Sequence, residues 1–331
     1  MNNLHENLLQ KAVDAHTHGD EGQAERLYKD LLEETRDARA LSYLAEIYMN
    51  REEYGEAEDL LDEAVELDSE DATIWLNIGN LHYLQENNSK ALAAFERAAK
   101  LDAEDTISRY QIAVLKGNSG DANKYRKGYT ESLFDDYAAH FDEALVNDLN
   151  YATPQNFATM MRENFSKQWF MEGMLDVGCG TGLVAEAFGD HVEDIVGVDL
   201  SEGMLDVAEE KNVYDELHQE DVVDYLKKCK EAFSLITAAD VLVYLGDLKP
   251  FMHNAYKRLY EGGYLLISVE EGAMGMFEGY KVQTSGRFCH KPSYVRKLAA
   301  KCGFEEVDYQ HLRLRDESGA PLMGHHFLFK K

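Results

Sequence analysis

Leu175-Asp176-Val177-Gly178-Cys179-Gly180-Thr181-Gly182-Leu183 decides the fold of this chain. The apolar run Met174 to Val177 stops abruptly at three glycines in alternate positions, and a helical pattern, Leu183 to Phe188, follows. Strand, tight turn and helix are the expected order. Glycine suits such a turn because the backbone bends sharply and a ligand can approach with no Cβ in the way. The N-terminal N–H groups and positive dipole end of the following helix then point at that ligand.

Two acids lie downstream at the ends of further apolar runs. Ile195-Val196-Gly197-Val198-Asp199 ends in the first. In a doubly wound sheet that acid lies beside the first glycine turn, where it can accept hydrogen bonds from ribose hydroxyls. Glu220-Asp221-Val222 supplies the second, at the end of a third strand, placed to accept from an adenine amino group. A dinucleotide fingerprint requires G-x-G-x-x-G. Here the third glycine comes one place early and Leu183 stands where the last should be, which disfavours an oxidoreductase.

On these residues, with Leu200, Ser201, Met204 and the Gly262-Gly263 pair, the stretch resembles the class I S-adenosylmethionine (SAM)-dependent methyltransferases. The resemblance implies a seven-stranded, doubly wound, Rossmann-like sheet. It implies SAM contacts from Asp176, Gly178, Cys179, Gly180, Gly182, Asp199, Leu200, Met204, Asp221, Val222 and Ala239. The glycine turn would pass the methionine part of SAM, which carries no phosphate.

The chain has 331 residues, which suggests two domains. Its 33 basic residues against 62 acidic ones give a net charge of −29. Such a field repels a nucleic-acid backbone or an anionic membrane surface, so neither is expected as partner or substrate. No apolar run is long enough to cross a bilayer. The N-terminus lacks the layout of a secretory signal, and Cys179, Cys229, Cys289 and Cys302 do not form a disulfide framework. The expected compartment is the cytoplasm.

The N-terminal third repeats itself. Trp75, Ile78, Gly79, Ala91, Phe95 and Ala98 fit a tetratricopeptide unit, and Leu41, Leu44, Ala45, Tyr48, Ala57, Leu61 and Ala64 fit another one period earlier. Leu8, Ala12, Ala15, Ala24, Tyr28 and Leu31 mark a unit before that, and a degenerate fourth begins at Thr106. This predicts an α-solenoid over 1–125, of about three units plus that remnant. Its concave face suits a peptide or protein partner, self-association, or support of the second domain. His16-x-His18 is not read as a metal site, because positions two apart on a helix face apart.

The second domain is expected over 126–331, opening with a helix at about 129–150. Its Phe-Asp-Asp-Tyr-Ala-x-x-Phe-Asp string (Phe134 to Asp142) resembles the lead-in of a bacterial group of methyltransferases that carry tetratricopeptide repeats. That resemblance implies a lid, with Tyr137 or Phe141 over the cofactor. Strands are expected at Val213–His218, Phe233–Ala238 and Tyr264–Val269, with an antiparallel closing pair at Phe304–Leu314 and Leu322–Lys330. Asp240 and Tyr244 follow the fourth strand and so lie on the ligand side.

Methyl transfer from a sulfonium is an in-line displacement that requires positioning, and a base when the nucleophile is a hydroxyl. The candidates are Tyr244, Glu270, Glu271, Arg287 and His290, in part on a loop after the insert 272–279. His290 is the expected base, because its unperturbed pKa is near neutral, with Tyr244 beside the acceptor. His325-His326 reads as structural, and no metal is expected. The acceptor would be an O or N on a small molecule, or on a peptide or protein brought in by the repeats. The alternative is a non-catalytic SAM-binding sensor or scaffold.

Overall fold

The computed structural model describes residues 2–17, 19–137, 141, 149–165, 169–272, 279–317 and 319–331. It divides into two compact units, Met1–Asp121 and Ala122–Lys331.

The first unit is a succession of paired helices: α1 (Asn2–Thr17), α2 (Glu21–Glu34), α3 (Ala38–Asn50), α4 (Tyr54–Leu67), α5 (Ala72–Leu84), α6 (Asn88–Leu101) and α7 (Thr106–Leu115). Most starts are fixed by a side chain that accepts from the first turn. Asp20, Asp37, Asp71, Asn87 and Asp105 do this for α2, α3, α5, α6 and α7. Each such cap contributes roughly 0.5–2 kcal/mol. Small residues set the spacing within a pair: a Cβ on Gly79 would stand 2.4 Å from the Phe95 ring. Leu9, Tyr28, Leu31, Leu44 and Ile47 fill the space between the first pairs. Buried Asn77 donates to Ser42 Oγ at 2.9 Å and to the Glu46 carboxylate, tying α5 to α3. His16 packs edge-on to Tyr28; its sequence neighbour His18 lies outside the described residues.

The second unit takes in most of α8 (Ser119–Tyr137), from Ala122 onward, followed by α9 (Thr153–Asn164). Strands and helices then alternate: β1 (Met171–Val177), α10 (Leu183–Phe188), β2 (Val192–Asp199), α11 (Glu202–Lys211), β3 (Glu216–Gln219), α12 (Val222–Lys228), β4 (Phe233–Ala238), α13 (Lys249–Arg258) and β5 (Leu259–Glu270). A short hairpin, β6 (Tyr280–Val282) and β7 (Phe288–His290), precedes α14 (Pro292–Cys302), β8 (Glu305–Glu317) and β9 (Ala320–Lys330).

Pairing gives the order β3-β2-β1-β4-β5-β9-β8. The first five strands are parallel, and β9 runs antiparallel to both of its neighbours, β5 and β8. This is the seven-stranded α/β sheet expected from the sequence. The order in which strands are added reverses between β1 and β4, so their carboxyl ends open a crevice at the switch point.

The period-two alternation of strands sorts the core. Leu175, Val177, Ile236, Leu265 and Phe327 pack against α12, α13 and α14. Met174, Leu235, Leu266 and Leu328 pack on the other face against α9 and α10.

Three expectations shift. The third strand lies at Glu216–Gln219 rather than starting at Val213, and the fifth starts at Leu259. The segment read as a loop around His290 is the hairpin, whose β7 joins the end of β5 through Glu270 and Cys289. Each hairpin strand has only three residues, too few to show a period. The insert at 273–278 lies outside the described residues. No described helix is long and apolar enough to cross a membrane.

Candidate active site

The glycine turn after β1 is held by backbone bonds. Gly178 N and Cys179 N donate to Val198 O at 2.7 and 3.1 Å, and Gly182 N donates to Cys179 O at 3.0 Å. Gly178 and Gly180 adopt φ values of +68° and +52°, in the left-handed region that side chains disfavour. They serve different ends. A Cβ on Gly178 would collide with Val241 at 2.3 Å, whereas one on Gly180 would meet only Phe141, at 3.8 Å, on the wall of a cavity.

That cavity, of about 340 Å³, lies at the carboxyl ends of β1 and β4. Of the expected cofactor residues, Gly178, Cys179, Gly180, Asp199, Leu200, Met204, Asp221, Val222 and Ala239 line it. Two do not. Asp176 is fully buried and is not part of the cavity wall, and its carboxylate accepts from Thr237 Oγ1 at 2.7 Å and Tyr214 O–H at 2.9 Å. Those bonds tie β1 to β4 and to Tyr214. Burial raises the Asp176 pKa to about 6 against those two donors. Gly182 is the left-handed N-cap of α10 and faces Tyr214, 3.0 Å from where its Cβ would lie. The Tyr137 side chain lies outside the described residues; Phe141 lines the cavity.

Both acids at the strand ends are engaged by the protein itself. Asp199 Oδ2 accepts from Gly180 N at 2.8 Å and Oδ1 from Ser201 N at 3.0 Å, so the acid clamps the turn to the start of α11. Burial pushes its carboxyl up, and these N–H groups oppose that shift. Asp221 caps α12 through Oδ1, which accepts from Val223 N and Asp224 N at 3.2 Å each. Its Oδ2 is paired with Arg126 of α8 at 2.7 Å. Arg126 lines the cavity, as does Thr130, whose buried hydroxyl has no partner among the described residues. The sequence reading missed both, because nothing local ties α8 to β3.

The other end of the cavity is ionic. Tyr151, Asp240, Tyr244, Arg287 and Arg315 line it. Asp240 takes φ +55° in the bend after β4, its N–H donating to Ser268 Oγ at 2.8 Å. Its carboxylate accepts from Ser268 Oγ at 2.7 Å and Thr153 Oγ1 at 3.2 Å, with Arg315 at 3.6 Å. Burial raises the Asp240 pKa; the Arg315 charge opposes the rise. Behind the arginines, buried Glu270 accepts from Arg287 at 2.9 Å and Arg315 at 3.4 Å, and Glu317 takes both of its bonds from Arg287 at 2.5 and 2.6 Å. The Tyr244 ring meets Phe134 edge-on at 5.2 Å.

His290 is a correction. It sits in β7, fully buried, between Tyr280 and Tyr294, with Nε2 3.1 Å from Gly246 O. It is absent from the cavity wall, and burial lowers its pKa to about 4. An imidazole so enclosed cannot reach an acceptor in the cavity. Glu271 lies beyond the cavity, 3.0 Å from His311.

The family described as Methyltransferase domain matches residues 175–267, from β1 into β5. The Tetratricopeptide repeat family matches residues 9–72 and 45–106. The chain carries N-terminal tetratricopeptide repeats and a C-terminal class I SAM-dependent methyltransferase domain. Within this domain, the ubiquinone biosynthesis O-methyltransferase of Coxiella burnetii is 34% identical over 98 residues, 29% of this chain and 42% of that protein. The protein of that name from Hydrogenovibrio crunogenus is 27% identical over 99 residues, 29% of this chain and 41% of its own. The chain thus spans about two fifths of the length of the curated relatives it matches. The structure of N-methyltransferase NodS from Bradyrhizobium japonicum, in complex with S-adenosyl-L-homocysteine, superposes with a TM-score of 0.50 at 18% identity, covering 61% of this chain and 98% of that one. At that identity the likeness concerns the fold.

Proposed function

We propose that the methyltransferase domain binds SAM in the cavity at the ends of β1 and β4 and transfers its methyl group to an oxygen or nitrogen of an acceptor. The acceptor is a small molecule, or a group on a peptide or protein docked by the repeats. The observation that carries this reading is the joined set of Gly180, Asp199, Met204 and Asp221 lining one cavity. The residues fit an adenosyl sulfonium ligand: Gly180 leaves its side of the wall open, and the Thr130 hydroxyl is buried there without a partner among the described residues. SAM supplies a methyl group already activated by the sulfonium charge.

The chain's own residues then have three tasks. Asp199, fixed by Gly180 N and Ser201 N, presents its remaining lone pairs to ribose hydroxyls. Leu133, Phe134, Phe141 and Tyr244 exclude water from the cavity and hold an apolar acceptor body in line, which requires about 3–3.5 Å between reacting atoms. Asp240 replaces His290 as the group that takes a proton from the acceptor. It is on the wall, and its burial-raised pKa moves it toward the range where a carboxylate works as a base at neutral pH. The name of the similar ubiquinone biosynthesis O-methyltransferase supports an oxygen acceptor.

Methyl-labelled SAM tests the proposal. The protein and its Asp199→Ala variant are incubated with lysate of a host strain lacking the protein. Label in a discrete protein band, lost in the variant, makes the repeats a docking device. Label only among small molecules makes the acceptor a metabolite. No label anywhere, with SAM bound, refutes transfer and leaves a sensor.

A further inference from the structure

We propose that Glu271, His311 and His325 form a binding site for a divalent transition-metal ion of the zinc type, outside the cavity just described. The sheet brings the three together from two neighbouring strands and the end of a third. His311 of β8 and His325 of β9 are direct cross-strand partners. On the other side of β9, Val269 pairs with His325 and Glu270 with Gly324, and Glu271 N donates to Met323 O at 3.1 Å. Glu271, the residue after β5, is therefore fixed at the same end of β9 as the histidines.

The donor atoms are close enough to share an ion. His311 Nε2 stands 3.0 Å from Glu271 Oε2, and one ligand atom from each of the three residues lies within 4.8 Å of the others. Around a tetrahedral ion with bonds of about 2.0–2.1 Å, ligand atoms are about 3.3 Å apart. The Glu271–His311 pair is near that separation, and the His325 ligand atom lies within 4.8 Å of both. The His325 ring lies 4.9 Å from that of His311 at 24°. His325 Nδ1 lies 2.9 Å from the Tyr309 hydroxyl oxygen; in the tautomer whose Nδ1–H donates to that oxygen, the Nε2 lone pair is left for the ion. A metal-bound histidine characteristically holds its other nitrogen in a hydrogen bond, which fixes the tautomer and orients the ring.

The donor set selects the ion. Two imidazoles and one carboxylate suit zinc, cobalt, nickel or copper, while magnesium and calcium prefer oxygen ligands throughout. The fourth position would hold water. Such an ion would staple β5, β9 and β8 one residue beyond Glu270, which anchors Arg287 and Arg315 at the ionic end of the cavity. Its role is thus to stiffen the acceptor end of the site.

Cobalt(II) is the direct probe. Full-length protein freed of metal by a chelator is titrated with Co²⁺ and followed by visible ligand-field absorption, and its melting is measured with and without Zn²⁺. The expected result is one Co²⁺ per chain, an absorption band that Zn²⁺ bleaches, and a raised melting temperature. His311→Ala and Glu271→Gln, both at half-exposed side chains, abolish band and shift while melting like the parent without metal. Tyr309→Phe keeps the ring and weakens binding about 10–100-fold. His218→Ala, which removes the Glu216–His218 pair elsewhere in the domain, leaves binding unchanged. No band and no Zn²⁺ shift at about a hundred micromolar, or an equal response in His311→Ala, overturns the site. SAM titration is independent of it, so its failure and that of the proposed function are separately visible.

Discussion

The two glycines at the centre of the turn should separate folding from binding. Both have positive φ, so alanine at either costs about 1–2 kcal/mol in backbone strain. At Gly178 the added methyl also stands 2.3 Å from Val241 Cγ2 and 2.5 Å from its Cβ. The Cβ is anchored to the backbone and cannot swing aside, so overpacking adds about 1–3 kcal/mol. Gly178→Ala should lose about 2–5 kcal/mol in all. At Gly180 the nearest atom is Phe141 at 3.8 Å, an ordinary contact, so only the strain remains. The methyl of Gly180→Ala nevertheless projects where the ligand must approach, and a loss of about 1.4 kcal/mol or more lowers SAM affinity at least tenfold. Urea unfolding measures the stabilities and calorimetry the affinities. Equal stability of the two variants, or parental SAM affinity in Gly180→Ala, refutes the division of roles.

Other perturbations have equally definite outcomes. Asp199→Ala removes an acceptor used by two backbone N–H groups and assigned to ribose; a charged hydrogen bond contributes about 1.5–3 kcal/mol, so SAM affinity should fall one to two decades by calorimetry. Asp240→Asn should lower kcat about 10²–10⁴-fold with SAM affinity retained, whereas His290→Asn should cost stability and leave the pH profile of kcat in place. His290 and His326 are held to about 4 by burial, below the usual 6.5, so the stability they contribute is complete above pH 6.5 and falls away between pH 6.5 and 4, visible in thermal melts. Asp176 has the opposite sign. Its pKa of about 6 lies above the usual 3.8, so the folded state binds its proton more tightly and loses stability as pH rises from about 4 to 6. Asp176→Asn should therefore gain about 3 kcal/mol relative to the parent between pH 4 and pH 7.5 in urea unfolding.

Local signals carried the fold. The glycine turn, the acids closing Val192–Asp199 and preceding Val222, and the repeat of small and aromatic residues each lie within a short window, and the elements formed where they pointed. Side-chain direction was harder to read. Asp176 sits next to the turn in sequence, yet strand alternation turns it to the face where Thr237 and Tyr214 wait. Its role depends on partners 61 and 38 residues away. The ionic end of the cavity was the least legible. Tyr151, Arg287 and Arg315 come from separate parts of the chain, and only the β5-β9-β8 pairing brings Arg315 to Glu270 and Asp240. His290 misled for a related reason. Its neutral pKa made it a plausible base, but a hairpin of three-residue strands has no periodicity to announce that the ring is buried.

The account rests on SAM lying in the cavity at the ends of β1 and β4. The most direct measurement is a crystal structure of the full chain with S-adenosylhomocysteine. Density running past Gly180, with ribose on Asp199 and adenine between Met204 and Asp221, is the predicted result. An empty cavity at saturating ligand, or density anywhere else on the chain, would contradict it.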